Sequence, residues 1–348
     1  MKKRSTGIRK KTKGTIAILY HRIDEQKDGA YLTPEFALSD KQTEKTAKYI
    51  RSILLRRKYK VQMLTISPDD LSSLQHFEAD YVFNLVDSKI MEIKIARILD
   101  RLQIKHSGSL LDAIKTSNNK IKSKKVFEQH KLPIPKYTII PQKMRISKKL
   151  IPSKFPIIVK PAFEHCSIGI GDASIVTTYA QFKKTITKQR RLYNQTLLAE
   201  EFIVGKEFHV TVHESGHQTT ALPIAQLAFK RGIRNKWSIY GFDEKWREDL
   251  PIYNSLHFVS PPKKLDSGID LQIKQDCIRA FYAFGFHDYA RFDLRYNPKN
   301  KQWYFLEANA NAGITPQDPT DAMNASIIAS GSDLADFIVQ IVKNTLHA

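Results

Sequence analysis

Cysteine is nearly absent. Cys166 and Cys277 are the only two in 348 residues, which excludes a disulfide scaffold and fits a reducing compartment. Neither stands at metal-ligand spacing from a partner, and the 11 histidines are scattered in the same way, so no zinc-type site is expected. No long uninterrupted apolar run occurs, so no transmembrane helix and no membrane partner are expected. The N-terminus is basic but lacks the apolar core of a signal peptide, and a cytoplasmic location is the expectation. Acidic residues are in deficit, 35 against 56 Lys and Arg, for a formal net charge of +21. Seven of the basic residues fall in residues 1–14, which read as a disordered arm. Such charge favours acidic partners such as nucleotides, nucleic acid or an acidic polymer, although general basicity of the parent proteome accounts for it equally well. No internal repeat, low-complexity domain or recognisable nucleic-acid module is present.

What is present is an ordinary globular composition, 42% hydrophobic, in a chain long enough for two or three subdomains. Strand and helix alternate at first: strands at Thr15–Tyr20, Val61–Ile66 and Tyr81–Val86, a short one at Ile104–Gly108, and helices at Thr43–Lys58 and Ile90–Leu102. This alternation predicts a parallel sheet with helices on its faces. Tyr20-His-Arg-Ile-Asp24 stands where a glycine-rich dinucleotide fingerprint would follow the first strand, so a dinucleotide is not expected there. Further on, a helix is expected to about His130, an aperiodic basic stretch over Lys136–Lys154, and strands at Phe155–Pro161, Leu197–Ile203, His209–His213 and Ala221–Phe229. Helices are expected at Tyr179–Leu192, Leu271–Phe284 and Ser332–Leu346, the last with Ser332 as N-cap. Arg231–Leu250 is polar and long for a connection, the pattern of a mobile lid.

Two stretches carry chemistry. Phe155–Pro161 brings Lys160 to a strand end, and Ser167-Ile-Gly169-Ile-Gly171 follows as a small-residue loop. A lysine point charge facing backbone N–H groups suits phosphate, although such turns are common. The second stretch is Tyr289–Asp293 and Trp303–Asn309, two apolar alternating runs joined by Asn297-Pro-Lys-Asn300. An antiparallel hairpin would set Asp293 beside Glu307, with Asn309 on the same side. Two carboxylates and an amide oxygen suit a hard cation that also holds phosphates. A hairpin with solvated acidic ends is the plainer reading of these carboxylates alone.

In order along the chain stand His106-Ser-Gly-Ser109, Asn119-Lys120 with Lys124, Val159-Lys160-Pro161, Ser167-Ile-Gly169, Ala199-Glu200-Glu-Phe-Ile-Val-Gly205-Lys-Glu207, Lys245-Trp246, Arg291-Phe-Asp293 and Leu306-Glu307-Ala-Asn309. This ordered set resembles the ATP-grasp superfamily, in its D-alanine–D-alanine ligase-like branch. The resemblance runs from about Ile104 to the C-terminus and more weakly before it. It implies an α/β chain with an ATP-grasp fold behind a half-Rossmann N-terminal subdomain. The expected divisions are a basic arm (1–14), an N-terminal subdomain (15–110), a central one (111–203) and a C-terminal one (204–348) carrying the metal site and the lid (231–250).

The resemblance also implies roles. Lys120 and Lys160 should contact ATP phosphates, with Ser167 and Gly169 in the covering loop. Glu200, Glu201, Phe202 and Ile203 should hold adenine, and Glu207 the ribose. Asp293, Glu307 and Asn309 should bind Mg²⁺, with Mn²⁺ as a substitute. Arg291, Lys245 and Ser167 are the expected catalytic groups, and Arg291, Gly313 and Asp318 the expected substrate contacts. The implied reaction joins a carboxylate to an amine through an acyl phosphate, and relatives of this kind are commonly homodimers. The sequence departs from the family at its amino-acid end. Tyr20–Glu25 replaces a glycine-rich segment, Asn84-Leu-Val-Asp87 replaces a His-Gly pair, Ala312-Gly313 replaces Pro-Gly, and Asp318 replaces a hydroxyl residue. A carboxylate at 318 would repel the carboxylate of a second D-alanine, so a product other than D-alanyl-D-alanine is expected. The alternatives are a catalytically inactive ATP-binding protein docking through its basic surface on nucleic acid or another partner, and a small-molecule kinase.

Overall fold

The computed structural model describes residues 14–22, 34–74, 77–88, 91–315 and 321–346, with the side chains of 34–42 excepted. The arm over residues 1–13, Ile23–Glu25 of the segment after the first strand, and Asp318 lie outside the described residues.

The first sheet is built from β1 (Thr15–His21), β2 (Lys60–Ile66) and β3 (Tyr81–Asn84), with α1 (Pro34–Arg56) and α2 (Glu92–Arg101) between and after them. The strands are parallel in the order β2-β1-β3. Strand β1 is buried on both faces, so it reads as a continuous apolar run. Ile16, Ile18 and Tyr20 pack with Ile50, Ile53 and Leu54 of α1, whereas Ala17 and Leu19 pack with Ile95 and Leu99 of α2. The expected strand at Ile104–Gly108 is reduced to a single bridge between Val82 and His106.

Two short helices follow, α3 (Leu111–Ser117) and α4 (Lys120–Gln129), where one was expected. The break is at Asn118-Asn119. The Asn119 side chain accepts from the N–H groups of Ile121 and Lys122 and caps α4, relieving two of the orphan donors at a helix start. Lys120 becomes the first residue of the helix, and Lys124 lies one turn later on the same face.

The second sheet contains β4 (Tyr137–Ile140), β5 (Ile157–Pro161), β6 (Ile175–Val176) and, after α5 (Tyr179–Tyr193), β7 (Leu197–Glu201). Its order is β4-β7-β5-β6, antiparallel throughout. Strand β4 falls in the stretch read as aperiodic; only Ile140 of its four residues is buried, so its order comes from pairing with β7 rather than from an apolar pattern. Val159, Leu197 and Ala199 pack on Phe182 and Ile186 of α5.

The third sheet comprises β8 (Lys206–Ser215), β9 (Gln218–Ala221), β10 (Ala225–Phe229), then, beyond α6 (Phe242–Trp246) and α7 (Pro251–Ser255), β11 (Leu256–Val259), and finally, after α8 (Ser267–Phe284), the hairpin β12 (Tyr289–Asn297) and β13 (Gln302–Asn309). Its order is β11-β10-β8-β12-β13, with β9 paired to the far end of β8. The single strand expected over Ala221–Phe229 is two, separated around Pro223, which has no N–H to give a ladder. One face of β8 and β12, Phe208, Val210, Phe292 and Leu294, packs on α8 and on Ile114 and Phe127 of α3 and α4.

The chain closes with α9 (Ala322–Ala329) and α10 (Leu334–Leu346), the latter returning to cover the first sheet. Asp333, not Ser332, sits at its start and accepts the N–H of Asp336. No single described helix is long and apolar enough to cross a membrane; α9 and α10 pass together only as a pair bent by 97°.

Candidate active site

Period-2 alternation places the charges. In β12 the residues between the core positions are Arg291, Asp293 and Arg295; in β8 they are Glu207 and His209. Their register pairs Asp293 with His209 and Arg295 with Glu207. In the second sheet Ile158, Lys160 and Glu200 stand opposite the α5 face. These polar faces line one cavity.

At its floor the hairpin sets Asp293 opposite Glu307, as the turn pattern predicts. A register shift follows immediately, between Asp293 and Leu294, the kind of bulge that re-aims side chains. The Asn309 amide donates to Asp293 Oδ2 at 3.1 Å. Arg291 grips Asp293 as a fork, Nε to Oδ1 at 2.7 Å and Nη2 to Oδ2 at 3.1 Å. Burial alone would raise the Asp293 pKa, but Arg291 and His209 outweigh it and hold the carboxyl at about 2. The same contest lowers Glu307, where Lys120 at 2.9 Å is the main partner. Both carboxylates therefore stay ionised inside the protein.

Lys160, Ser167, Glu200, Glu201, Phe202, Ile203, Glu207, Lys245, Arg291, Gly313 and the Asp293, Glu307 and Asn309 trio all line this cavity. Lys120 stands behind Glu307, its ammonium also bonded to the Glu164 carbonyl. Gly169 belongs to the loop but not to the cavity lining. Its φ is +77° and an added Cβ would lie 2.8 Å from Pro161, so only glycine lets the loop approach the strand this closely. Glu200 lines the cavity and is also the centre of an ion-pair cluster. It is fully buried, with Oε2 at 2.9 Å from Lys160 and Oε1 at 3.2 Å from Lys124. Its two oxygens are each engaged by an ammonium group.

The 231–250 stretch folds over the cavity and meets the 163–171 loop. Ser167 Oγ donates to the Tyr240 carbonyl at 2.8 Å, and Trp246 Nε1 to the Cys166 carbonyl at 2.9 Å. The N–H of Phe242 bonds the Ile170 carbonyl at 2.9 Å. Lys245 is carried by α6 in this cover.

Several contributors were not singled out in the sequence. Arg295 donates to the carbonyls of Ile203, Ser238 and Gly205 at 2.9 to 3.0 Å and lies 5.0 Å over the Phe202 ring. It ties the segment after β7 to the cover. His209 lies 3.3 Å from Glu207 and 3.7 Å from Asp293. Both fall two residues from a recognised one, so strand alternation was the available signal. Lys124 was visible in a motif without a role.

The far end of the cavity is different. Asn84, Asp87, Glu92, Asn118, Tyr289, Asn311 and Asp321 line it. Glu92 is buried, and its carboxyl accepts from the amides of Asn118 and Asn311. Burial raises its pKa to about 7, with Asp87 adding to the effect. Gly108 (φ +83°) packs so tightly on Asn311 that a Cβ would meet its Oδ1 at 2.5 Å.

Two antiparallel sheets close their charged faces on one cavity, the ATP-grasp fold of the solved structures this chain resembles, and the family model and relatives define its class as an ATP-dependent carboxylate–amine ligase. Residues 126–343 match the family model described as D-ala D-ala ligase C-terminus, and the chain belongs to that family. A D-alanine–D-alanine ligase of Bordetella avium is 26% identical over 249 residues, 71% of this chain and 73% of that protein. Among solved structures, D-alanyl-alanine synthetase A from Vibrio cholerae superposes with a TM-score of 0.75 at 20% identity, over 97% of this chain and all of the other. The ATP complex of the Bacillus anthracis D-alanine–D-alanine ligase gives 0.71 at 16% identity, over 96% and 98%. These likenesses in structure speak for the fold.

Proposed function

We propose that this protein phosphorylates a carboxylate with ATP and passes the resulting acyl phosphate to an amine, and that its two substrates are not both D-alanine. The observation that carries the first part is the Asp293–Glu307 cross-strand pair set in one cavity with Lys160, Lys245 and Arg291. Two ionised carboxylates and the Asn309 amide oxygen are hard donors, a set that fits Mg²⁺. Bound there, Mg²⁺ would neutralise charge on the ATP phosphates.

The remaining steps belong to the chain's own groups. Lys160 supplies a fixed charge to the phosphates. Backbone N–H groups of the Ser167–Gly169 loop cover them, and Glu201 to Ile203 seat the base with Glu207 at the ribose. Lys245 approaches the terminal phosphate from the cover. The carboxylate oxygen of the first substrate attacks the terminal phosphorus and ADP leaves. The amine then attacks the acyl carbon, phosphate departs with the C–O bond pair, and the amine sheds a proton. Arg291 offsets charge on the tetrahedral oxygen. The cover excludes water, which would otherwise hydrolyse the acyl phosphate.

The second part is supported by the far end. Asn84-Leu-Val-Asp87, Glu92 and Asp321 make it acidic and amide-rich, and Asp318 adds a carboxylate in sequence. A substrate with a cationic or carboxylate-free group suits these residues better than a second amino-acid carboxylate. The Bordetella relative is named a D-alanine–D-alanine ligase, and about a quarter of the aligned residues are identical between it and this chain. The test is release of ADP and phosphate from Mg-ATP against pooled amino acids, amines and dipeptides, with Glu307→Gln as control. Release that depends on a pool and vanishes in the variant supports ligation; ATP binding with no release from any pool contradicts it.

A further inference from the structure

Three charged side chains from three elements meet in the wall of the nucleotide cavity. Lys124 of α4 is almost fully buried, with its ammonium 3.2 Å from Glu200 Oε1 and 3.3 Å from the Phe305 carbonyl on β13. Glu200 of β7 is wholly buried, and its other oxygen lies 2.9 Å from Lys160 on β5. Only Lys160 and Glu200 of the three reach the cavity lining. Lys124 stands behind that lining, with Glu200 as its ion-pair partner there.

We infer that Lys124 is a positioning residue for ATP: by occupying one oxygen of Glu200 it fixes the carboxylate, and by balancing its charge it leaves Lys160 with a net positive charge for the phosphates. This rests on the reading of Lys160 as a phosphate ligand. The charge count shows why a third group is needed. Lys160 with Glu200 alone is a neutral pair, and a buried neutral pair attracts a polyanion weakly. Adding Lys124 makes the trio +1. It also gives Glu200 a partner on the side away from the cavity, so the carboxylate has no reason to swing toward the ligand and draw Lys160 with it. A buried carboxylate between two ammonium groups resists such movement, because any displacement strands a charge in low dielectric.

The account makes Lys124 dispensable whenever Glu200 is neutral. The experiment is titration calorimetry with ATP and Mg²⁺, in the absence of other substrates, on the full chain and on K124M, E200Q and K124M/E200Q, with melting curves for each. K124M should bind ATP about tenfold more weakly or worse. Adding E200Q to it should restore much of that loss, since the uncompensated carboxylate is gone. Should K124M fail to fold, the double variant suffices: Lys160 alone restores the wild-type charge of +1, so K124M/E200Q should bind ATP within about twofold of the wild type, and a loss of about tenfold or more overturns the inference. Wild-type binding with K124M unchanged, or a double variant weaker than K124M, overturns this inference and leaves the ATP site standing. No ATP binding by the wild type overturns the site and the inference together.

Discussion

The two ends of the cavity are built from opposite materials. At the nucleotide end, cations and anions interleave at 2.7 to 3.7 Å: Arg291 on Asp293, Lys120 on Glu307, Lys160 and Lys124 on Glu200, His209 between Glu207 and Asp293. Every one of these sits on a strand or on the first turns of a helix, so their positions are set by sheet register and capping. At the far end the groups are Asn84, Asp87, Glu92, Asn118, Asn311 and Asp321; lysine and arginine are absent from that group, and it rests largely on loops and helix starts. A triphosphate with its metal needs many fixed charges of both signs. An acceptor is told from its competitors by fewer groups, and these can be replaced without disturbing the ATP machinery.

That contrast can be broken by experiment. The largest effect is expected at the junction of the two ends. Arg291→Met should lower turnover about 10²- to 10³-fold in steady-state phosphate release, because it removes charge stabilisation and unpairs Asp293. Next, Lys160→Met should weaken ATP binding about 10- to 100-fold by calorimetry while leaving acceptor affinity alone. Asn311→Ala, at the other end, should raise the KM of the acceptor about tenfold with the KM of ATP unchanged. A shift in the ATP value of similar size would show that the ends are not separable.

The smallest effect is a pH slope. The Glu92 carboxyl is raised from its ordinary 4.5 to about 7 by burial, with Asp87 adding to it. The folded protein then holds a proton that the unfolded chain has released, so stability is full below about 4.5 and declines as pH rises through about 7. The whole span is on the order of 3 kcal/mol. Asp288, also raised to about 7 by burial, acts with the same sign. Melting temperature should therefore fall between pH 5 and pH 7, and less steeply in Glu92→Gln. An equal slope in the variant would mean that Glu92 is ionised in the fold.

Legibility followed the same division. The hairpin, its Asp293–Glu307 pairing, the parallel first sheet and the positions of Lys160 and Arg291 could be read, because alternation and turn chemistry are local properties. The surroundings of Glu200 were not legible, because nothing local says that Lys124, 76 positions earlier, will be driven inside to meet it. Arg295 and His209 were overlooked although the alternation that located their neighbours also places them. Strand β4 was invisible for a different reason: its order is borrowed from β7. The far end was read only by what it lacks, since its residues come from Asn84, Glu92, Asn118 and Asn311, which no single periodicity connects.

The most direct measurement is mass spectrometry of the product formed with Mg-ATP from an equimolar mixture of D-alanine, cationic amino acids, amines and dipeptides. The expected result is an ATP-dependent amide in which at least one partner is not D-alanine, absent when Glu307→Gln replaces the wild type. D-alanyl-D-alanine as the dominant product would contradict the claim that the far end of the cavity has been rebuilt for a different substrate.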